Sequence, residues 1–246
     1  MLSINARPTI FQKTMRHPAS RGYGHRRAFL QSSAALLLGA LSGPALSAAK
    51  EAPLLKIIAF GDSLVAGLGL AAEAAFPNVL QEKLRAEGHN VTVINAGVSG
   101  DTSTGGLARY DWVIGDGADG VILELGANDM LRGVDPEVTK ATLAAILAKL
   151  KAGNIKVLIA GMKANPSLGQ EFKTRFDAIY PDIAKKYEAL LYPFFLDGVA
   201  GVPALELPDH LHPNPAGVER MVEGILPTVH SFLKQLGEKA APKPKE

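Results

Sequence analysis

The chain has 246 residues, with 26 Lys and Arg against 24 Asp and Glu, a net charge of +2 and no cysteine. The missing cysteine excludes disulfides, a thiol nucleophile, thiolate metal sites, iron–sulfur clusters, covalent haem attachment and a lipid-modified cysteine anchor. The charge is unevenly spread: residues 1–49 hold six bases (Arg7, Lys13, Arg16, Arg21, Arg26, Arg27) and no acid, leaving 20 bases against 24 acids in residues 50–246, so the body is mildly acidic and carries no sequence signal for binding nucleic acid.

Residues 24–49 run from paired arginines through an apolar stretch diluted by Ser, Gln and Gly to small residues, the order of a secretory signal. Arg26-Arg27-Ala28-Phe29-Leu30 resembles the twin-arginine export motif, an address read by a receptor. An uncleaved anchor is the rival, since about 20 residues reach across a bilayer. Gly43, Pro44 and the run Ser47-Ala48-Ala49 favour cleavage. The expected organisation is a leader with a twin-arginine-type signal peptide over 1–49, one folded domain over 50–236, and a flexible Lys/Pro/Ala-rich tail over 237–246. The expected destination is outside the cytoplasm, periplasmic or secreted, with export machinery as a partner and no stable membrane anchor after cleavage.

In the body, short apolar, β-branched runs alternate with longer helical patterns. Strands are expected at 55–60, 91–95, 120–125 and 156–161, with a weaker one at 191–195. Helices are expected at 76–87, 102–114, 136–152, 172–190 and 215–236; in the third, Val138, Leu143, Ile146 and Leu150 recur at helical steps and are assigned to a buried face. The strand runs are continuous rather than alternating, as in strands covered on both faces. This predicts a three-layer α/β/α sandwich around a five-stranded parallel sheet, with ligand sites at the carboxyl ends of the strands.

The first strand runs into Gly61-Asp62-Ser63, where a serine at a helix start suits a nucleophile; the alternative is an N-cap. After the second strand, Gly97 lets a backbone N–H approach an oxyanion, or simply makes a turn. After the third, the Asn128 carboxamide offers uncharged donors, again with turn formation as the alternative. Near the C-terminus, Asp209-His210-Leu211-His212 places a carboxylate three residues from a histidine, enough to supply a base and its partner to a serine. Asp209, His210 and His212 also form a metal-like cluster, but no other His or Cys near a strand end completes a shell. No G-x-G-x-x-G or Walker-type pattern occurs, which removes nucleotide cradling.

A Ser, a Gly, an Asn and an Asp-x-x-His at one sheet rim make up an acyl-transfer inventory. GDSLVAGLGL (61–70), INAGVSGDTSTGGLARYDW (94–112), LELGANDMLRG (123–133), LIAGMKANPSLG (158–169) and LHPNPAGVERMV (211–222) resemble the GDSL or SGNH hydrolases, in particular the periplasmic thioesterase, lysophospholipase and arylesterase branch. The resemblance implies a flavodoxin-like strand order 2-1-3-4-5 and a Ser63 nucleophile with His212 as base and Asp209 as its partner. It also implies an oxyanion hole of the Ser63 and Gly97 N–H groups and the Asn128 side chain, and no metal or cofactor. The sequence departs from the branch at His210, where glycine is usual, and at Asn165-Pro166-Ser167, in a loop that commonly reads Pro-Pro-Asn. The loop 162–171 is the candidate acyl-binding lip, through Met162 and Leu168. The expected substrates are aryl esters, short to medium acyl esters, acyl-CoA or lysophospholipid. The alternatives are a carbohydrate or peptidoglycan O-acetyl esterase on the same fold and an exported non-catalytic binding module.

Overall fold

The computed structural model describes residues 54–115 and 117–237. The chain divides into two units, Met1–Ala48 and Ala49–Glu246, and every described residue belongs to the second. The leader and nearly all of the tail lie outside the described residues.

Five strands, β1 (Leu55–Gly61), β2 (Val91–Gly97), β3 (Gly120–Leu123), β4 (Lys156–Ala160) and β5 (Leu190–Tyr192), form one sheet in the order β2-β1-β3-β4-β5. All neighbours are parallel, with Leu55 opposite Val91, Ile57 opposite Gly120, Gly120 opposite Lys156 and Leu158 opposite Leu190. The central strands bury both faces: Ile57, Ala59, Phe60, Val121, Ile122 and Leu158 are fully buried. Edge strand β2 buries Val91 and Val93 but leaves Ile94 exposed, so only part of its apolar run is covered.

Helices α2 (Phe76–Ala86) and α9 (Pro215–Gln235) pack against each other on one side, while α6 (Pro136–Ala152) packs against α3 (Ser103–Ala108), α7 (Gln170–Asp177) and α8 (Ile179–Tyr187). The long helices carry their own start signals. Asp135 caps α6 by accepting from Glu137 N–H, and Asn214 caps α9 by accepting from Gly217 N–H, each followed by proline at the first helical position. Burying apolar surface at about 25 cal/mol per Å² drives this assembly, and Phe60, Phe76, Phe176, Tyr180, Phe195 and Phe232 are its largest buried side chains.

Three expectations are corrected. The helix expected over 102–114 is two, α3 and α4 (Tyr110–Ile114), divided at Arg109; Gly105 and Gly106 weaken helix propagation there, and the Arg109 side chain is committed elsewhere. The helix expected over 172–190 is α7 and α8, divided at Ala178 just before Pro181, whose missing N–H is harmless only in a first turn; its last residues join β5 after Glu188 turns left-handed (φ 55°). Val138 is exposed, because the buried stripe of α6 runs through Pro136, Thr139, Leu143, Ile146, Leu147 and Leu150, one position away.

Candidate active site

Strand β1 delivers its carboxyl end to a short helix, α1 (Ser63–Ala66), capped by Asp62, whose carboxylate accepts from Leu64 N–H at 3.0 Å. The cap is therefore Asp62, and Ser63 occupies the first helical position with its hydroxyl free for another partner. Gly61 is required for this turn: a Cβ there would lie 2.4 Å from Val65 and 2.7 Å from the Glu124 backbone oxygen. Ser63 is buried, and its Oγ lies 2.8 Å from His212 Nε2.

His212 comes from a loop pinned at its base by the antiparallel bridge between Glu206 and Pro213 and by the Leu207 N–H donating to His212 O at 2.8 Å. Within it, Asp209 Oδ1 accepts from Leu211 N–H and His212 N–H, and Oδ2 lies 2.6 Å from His212 Nδ1. The Leu211 N–H, then the His212 ring and its N–H, hold the Asp209 carboxyl at about 2. An ionised Asp209 draws the imidazole proton to Nδ1, leaving Nε2 to accept from the Ser63 hydroxyl. His210, between them, has φ 56° and an exposed side chain with Nδ1 3.6 Å from Glu206. That left-handed backbone is the physical reason a glycine suits this position, and the His210 ring lies beside Glu206.

The first turn of α5 (Ala127–Leu131) carries Asn128. Its Nδ2 donates to Asp62 Oδ2 at 2.9 Å, leaving a second N–H for another acceptor. It is preceded by Gly126 at φ 117°, where a Cβ would meet Tyr180 Oη at 2.4 Å. Gly97 does not take the place expected of it. It is still part of β2, opposite Gly61, and its N–H donates to Asn95 Oδ1 at 3.0 Å. A Cβ there would strike the Ala66 backbone at 2.2 Å, so its smallness serves strand-to-α1 packing. Gly100, three residues on, lines the cavity with Ser63, Asn128 and His212. Neither Gly100 N–H nor Ser63 N–H has an acceptor among the described residues.

Two polar residues beneath the site escaped the sequence reading. Glu124, directly after β3, is fully buried; its Oε2 accepts from Asp62 N–H at 3.2 Å and its Oε1 has no hydrogen-bond partner. Burial and the neighbouring Asp62 push the Glu124 carboxyl well up, and burial also raises Asp62, opposed by its hydrogen bonds to Leu64, Glu124 and Asn128. Arg109 donates to Asp101 at 2.7 Å, to Ala96 O at 2.8 Å and to Gly61 O at 2.8 Å, with its guanidinium 4.5 Å above the Phe60 ring. Near Asn128, buried Asp129 accepts from Ser103 N–H, Ser103 Oγ and Thr139 Oγ1, fixing the start of α3 against α5.

A cavity of about 300 Å³ opens beside Ser63, and its walls include Leu68, Met130, Leu131, Met162, Leu196 and Leu211. Met130, Met162, Leu196 and Leu211 also border a second space of about 670 Å³ that extends to Phe194, Glu206 and His210. Of the two residues expected to form a lip, Met162 is buried and lines both spaces. Leu168 sits exposed on a 3₁₀ turn (Pro166–Leu168) and lines neither, although Asn165 and Pro166 at the start of that turn border the larger space.

Among the described residues, the one set of three metal-ligating side chains whose donor atoms lie within 4.8 Å of one another is Glu87, His89 and His230, beside the amino end of β2 and remote from Ser63. His230 Nε2 lies 2.7 Å from Glu87. No helix among the described residues is long and apolar enough to cross a membrane.

The family described as "GDSL-like Lipase/Acylhydrolase family" matches residues 59–220. Among characterised proteins, "Esterase TesA" of Pseudomonas aeruginosa is 37% identical over 201 residues, 81% of this chain and 99% of that protein. "Arylesterase" of Vibrio mimicus is 38% identical over 171 residues, 69% of this chain and 85% of that protein. Among solved structures, AlinE4, described as an SGNH-hydrolase family esterase, superposes with a TM-score of 0.63 at 43% identity, covering 75% of this chain and 99% of its own.

Proposed function

The chain belongs to the GDSL-like lipase/acylhydrolase family and is an ester hydrolase, and we propose that it works through Ser63, His212 and Asp209 on acyl esters and thioesters. The observation that carries this reading is the 2.8 Å approach of Ser63 Oγ to His212 Nε2, with Asp209 2.6 Å behind the ring. Ser63 Oγ attacks the carbonyl carbon and its proton passes to His212 Nε2; Asp209 stabilises the resulting imidazolium. The oxyanion is held by the Ser63 N–H, the Gly100 N–H in place of Gly97, and the free N–H of Asn128. His212 returns the proton to the departing alcohol or thiol. Water then repeats the cycle on the acyl-Ser63 ester, releasing the acid and regenerating the hydroxyl. None of these steps requires a metal or cofactor.

Leucine and methionine walls beside Ser63 favour an aliphatic or aryl acyl group over a sugar, which needs convergent polar groups to replace its hydration. Short acyl chains fit the first space and longer ones continue past Met162 and Leu211 into the second, which is consistent with aryl esters, acyl-CoA and lysophospholipid as substrates. Carbohydrate or peptidoglycan O-acetyl esters rank second. The basic leader with its paired arginines assigns the enzyme to export through a twin-arginine route.

The test is a hydrolysis panel of p-nitrophenyl esters of rising chain length, lysophospholipid, acyl-CoA and acetylated xylan, with Ser63→Ala as the blank. Ser63→Ala and His212→Ala are each expected to lower kcat by roughly 10³-fold or more. Full turnover by Ser63→Ala would sink the nucleophile assignment. Acetate release from xylan outpacing every acyl ester would replace the substrate class.

A further inference from the structure

Glu124 and Asp62 bring two carboxyl groups together with no exposed surface on either, directly under the turn that carries Ser63. The Asp62 N–H donates to Glu124 Oε2 at 3.2 Å, which holds the Glu124 carboxyl against Asp62, and two carboxyl groups held so close can hydrogen-bond to each other only with a proton between them. No Lys or Arg is paired with either group among the described residues. The groups around the pair offer no neutralising charge next to Glu124. Tyr180 spends its hydroxyl proton on Leu125 O, Asp129 is taken up by Ser103 and Thr139, and His212 bears on Asp62 rather than on Glu124. Burying two unpaired like charges costs several kcal/mol per ion, so the pair retains one proton.

Which residue holds the proton follows from the donors. Asp62 accepts from Leu64 N–H and from Asn128 Nδ2 and has use for a negative charge; Glu124 accepts only from Asp62 N–H. We propose that Glu124 is a positioning residue for the oxyanion hole: a neutral carboxylic acid that donates to the Asp62 carboxylate and so fixes the anion against which Asn128 is oriented. Asp62 holds one N–H of Asn128 and thereby aims the other at the space beside Ser63 Oγ. Gly61 belongs to the same device, since its missing Cβ leaves the room that Glu124 Oε2 occupies, 2.7 Å from where that atom would stand.

This inference rests on the acyl-transfer reading for its link to Asn128, and the experiment keeps the two separable. Glu124→Gln preserves shape, neutrality and a donor, and is expected to keep kcat within about three-fold of the parent. Glu124→Leu removes the donor while filling the space. Removing one member of a buried pair lowers stability, so its kinetics are read on protein shown folded by a thermal melt, where kcat is expected to fall by roughly 10- to 100-fold at nearly constant KM, the loss expected from a misaimed oxyanion donor. In an Asn128→Ala background the same substitution should have no further effect. The infrared difference spectrum of the unmutated enzyme against Glu124→Gln, taken at a pH just above the ordinary glutamate range, should show the carbonyl stretch of a protonated acid, a measurement that does not depend on whether Glu124→Leu folds. Absence of that band, parental kcat in folded Glu124→Leu, or an undiminished loss in the Asn128→Ala background would each overturn the proposal. Turnover by Ser63→Ala would instead overturn the acyl-transfer reading while leaving the infrared band in place.

Discussion

Arg109 donates to the Gly61 carbonyl at 2.8 Å, and that bond ties a residue at the break between two helices to the end of β1, two positions before Ser63. The same guanidinium holds Ala96 O on β2 and the Asp101 carboxylate. The strand end that leads to Ser63 and the segment that carries Gly100 are thus braced by one side chain. Lysine, a point charge on a flexible stem, cannot span acceptors so arranged.

Arg109→Lys is therefore expected to lower both stability and turnover. Removal of Arg109 leaves Asp101, whose side chain is 13% exposed, without its cation. Breaking such a pair costs about 3–5 kcal/mol when fully buried, and the partial exposure here reduces that to about 2–3 kcal/mol for Arg109→Ala. Urea denaturation of Arg109→Ala, Asp101→Asn and the double variant measures it, and the double variant should recover part of the loss.

Asn128→Ala is expected to lower kcat by roughly 10²–10³-fold with little change in KM, as for loss of one oxyanion donor. Gly97 and Gly100 separate cleanly in the same assay. Gly97→Ala should be recovered in low yield or unfolded, because its Cβ meets backbone at 2.2 Å. Gly100→Ala should fold with reduced kcat, since the nearest atom to a Cβ there is 3.7 Å away on the flexible Arg132 side chain, and its φ of 81° adds only local strain. Steady-state kinetics beside thermal melts distinguishes the two patterns.

Two carboxyls move the pH dependence of stability in opposite directions. Asp209 is held at about 2, below its unfolded value, so its contribution is present above about pH 4 and is lost as pH falls toward 2. Glu124 is raised, so its contribution is complete below its unfolded value and is lost as pH rises through the folded value. Chemical denaturation across pH should show Asp209→Asn flattening the acid limb, and Glu124→Gln removing a decline that sets in above the ordinary glutamate value. An unchanged slope in either variant would contradict the corresponding assignment.

Chain-length preference should follow Met162 and not Leu168. Met162→Phe narrows the passage between the two spaces beside Ser63 and is expected to lower kcat/KM for long acyl esters by about ten-fold while sparing acetate and butyrate esters. Leu168→Ser should leave the profile within two-fold. A p-nitrophenyl ester series measures both.

The candidate site was legible in the sequence where its pattern is local. Asp209 and His212 lie three apart on one loop, and Ser63 follows a buried strand at a helix start; each alone reads as well as a cap or a turn, and their joint occurrence with the family-like blocks is what marks them as a base, its partner and a nucleophile. The parallel sheet was legible because continuous apolar runs alternate with helical patterns. Gly97 and Gly100 were not distinguishable, since the choice depends on β2 running on to pair Gly97 with Gly61, a matter of register. Glu124 and Arg109 were hidden for a related reason. A glutamate inside an apolar run and an arginine inside a helical pattern look like ordinary residues until the fold brings Glu124 beneath Asp62, 62 positions away, and Arg109 against Gly61, 48 positions away. Leu168 looked like a lip residue because loop length says nothing about which way a 3₁₀ turn faces.

The hydrogen bond between Ser63 and His212 joins positions 149 residues apart. The serine arrives with the first strand, but its partner is presented by a loop whose outer end continues into α9, the last helix in chain order among the described residues. A chain whose carboxyl-terminal part is not yet folded therefore has Ser63 without His212 beside it, however well its amino-terminal half is formed. On the proposed mechanism hydrolysis requires the loop before α9 to be in place, so regain of activity during refolding is expected to report the Ser63–His212 contact and to lag any signal from the first β–α–β unit.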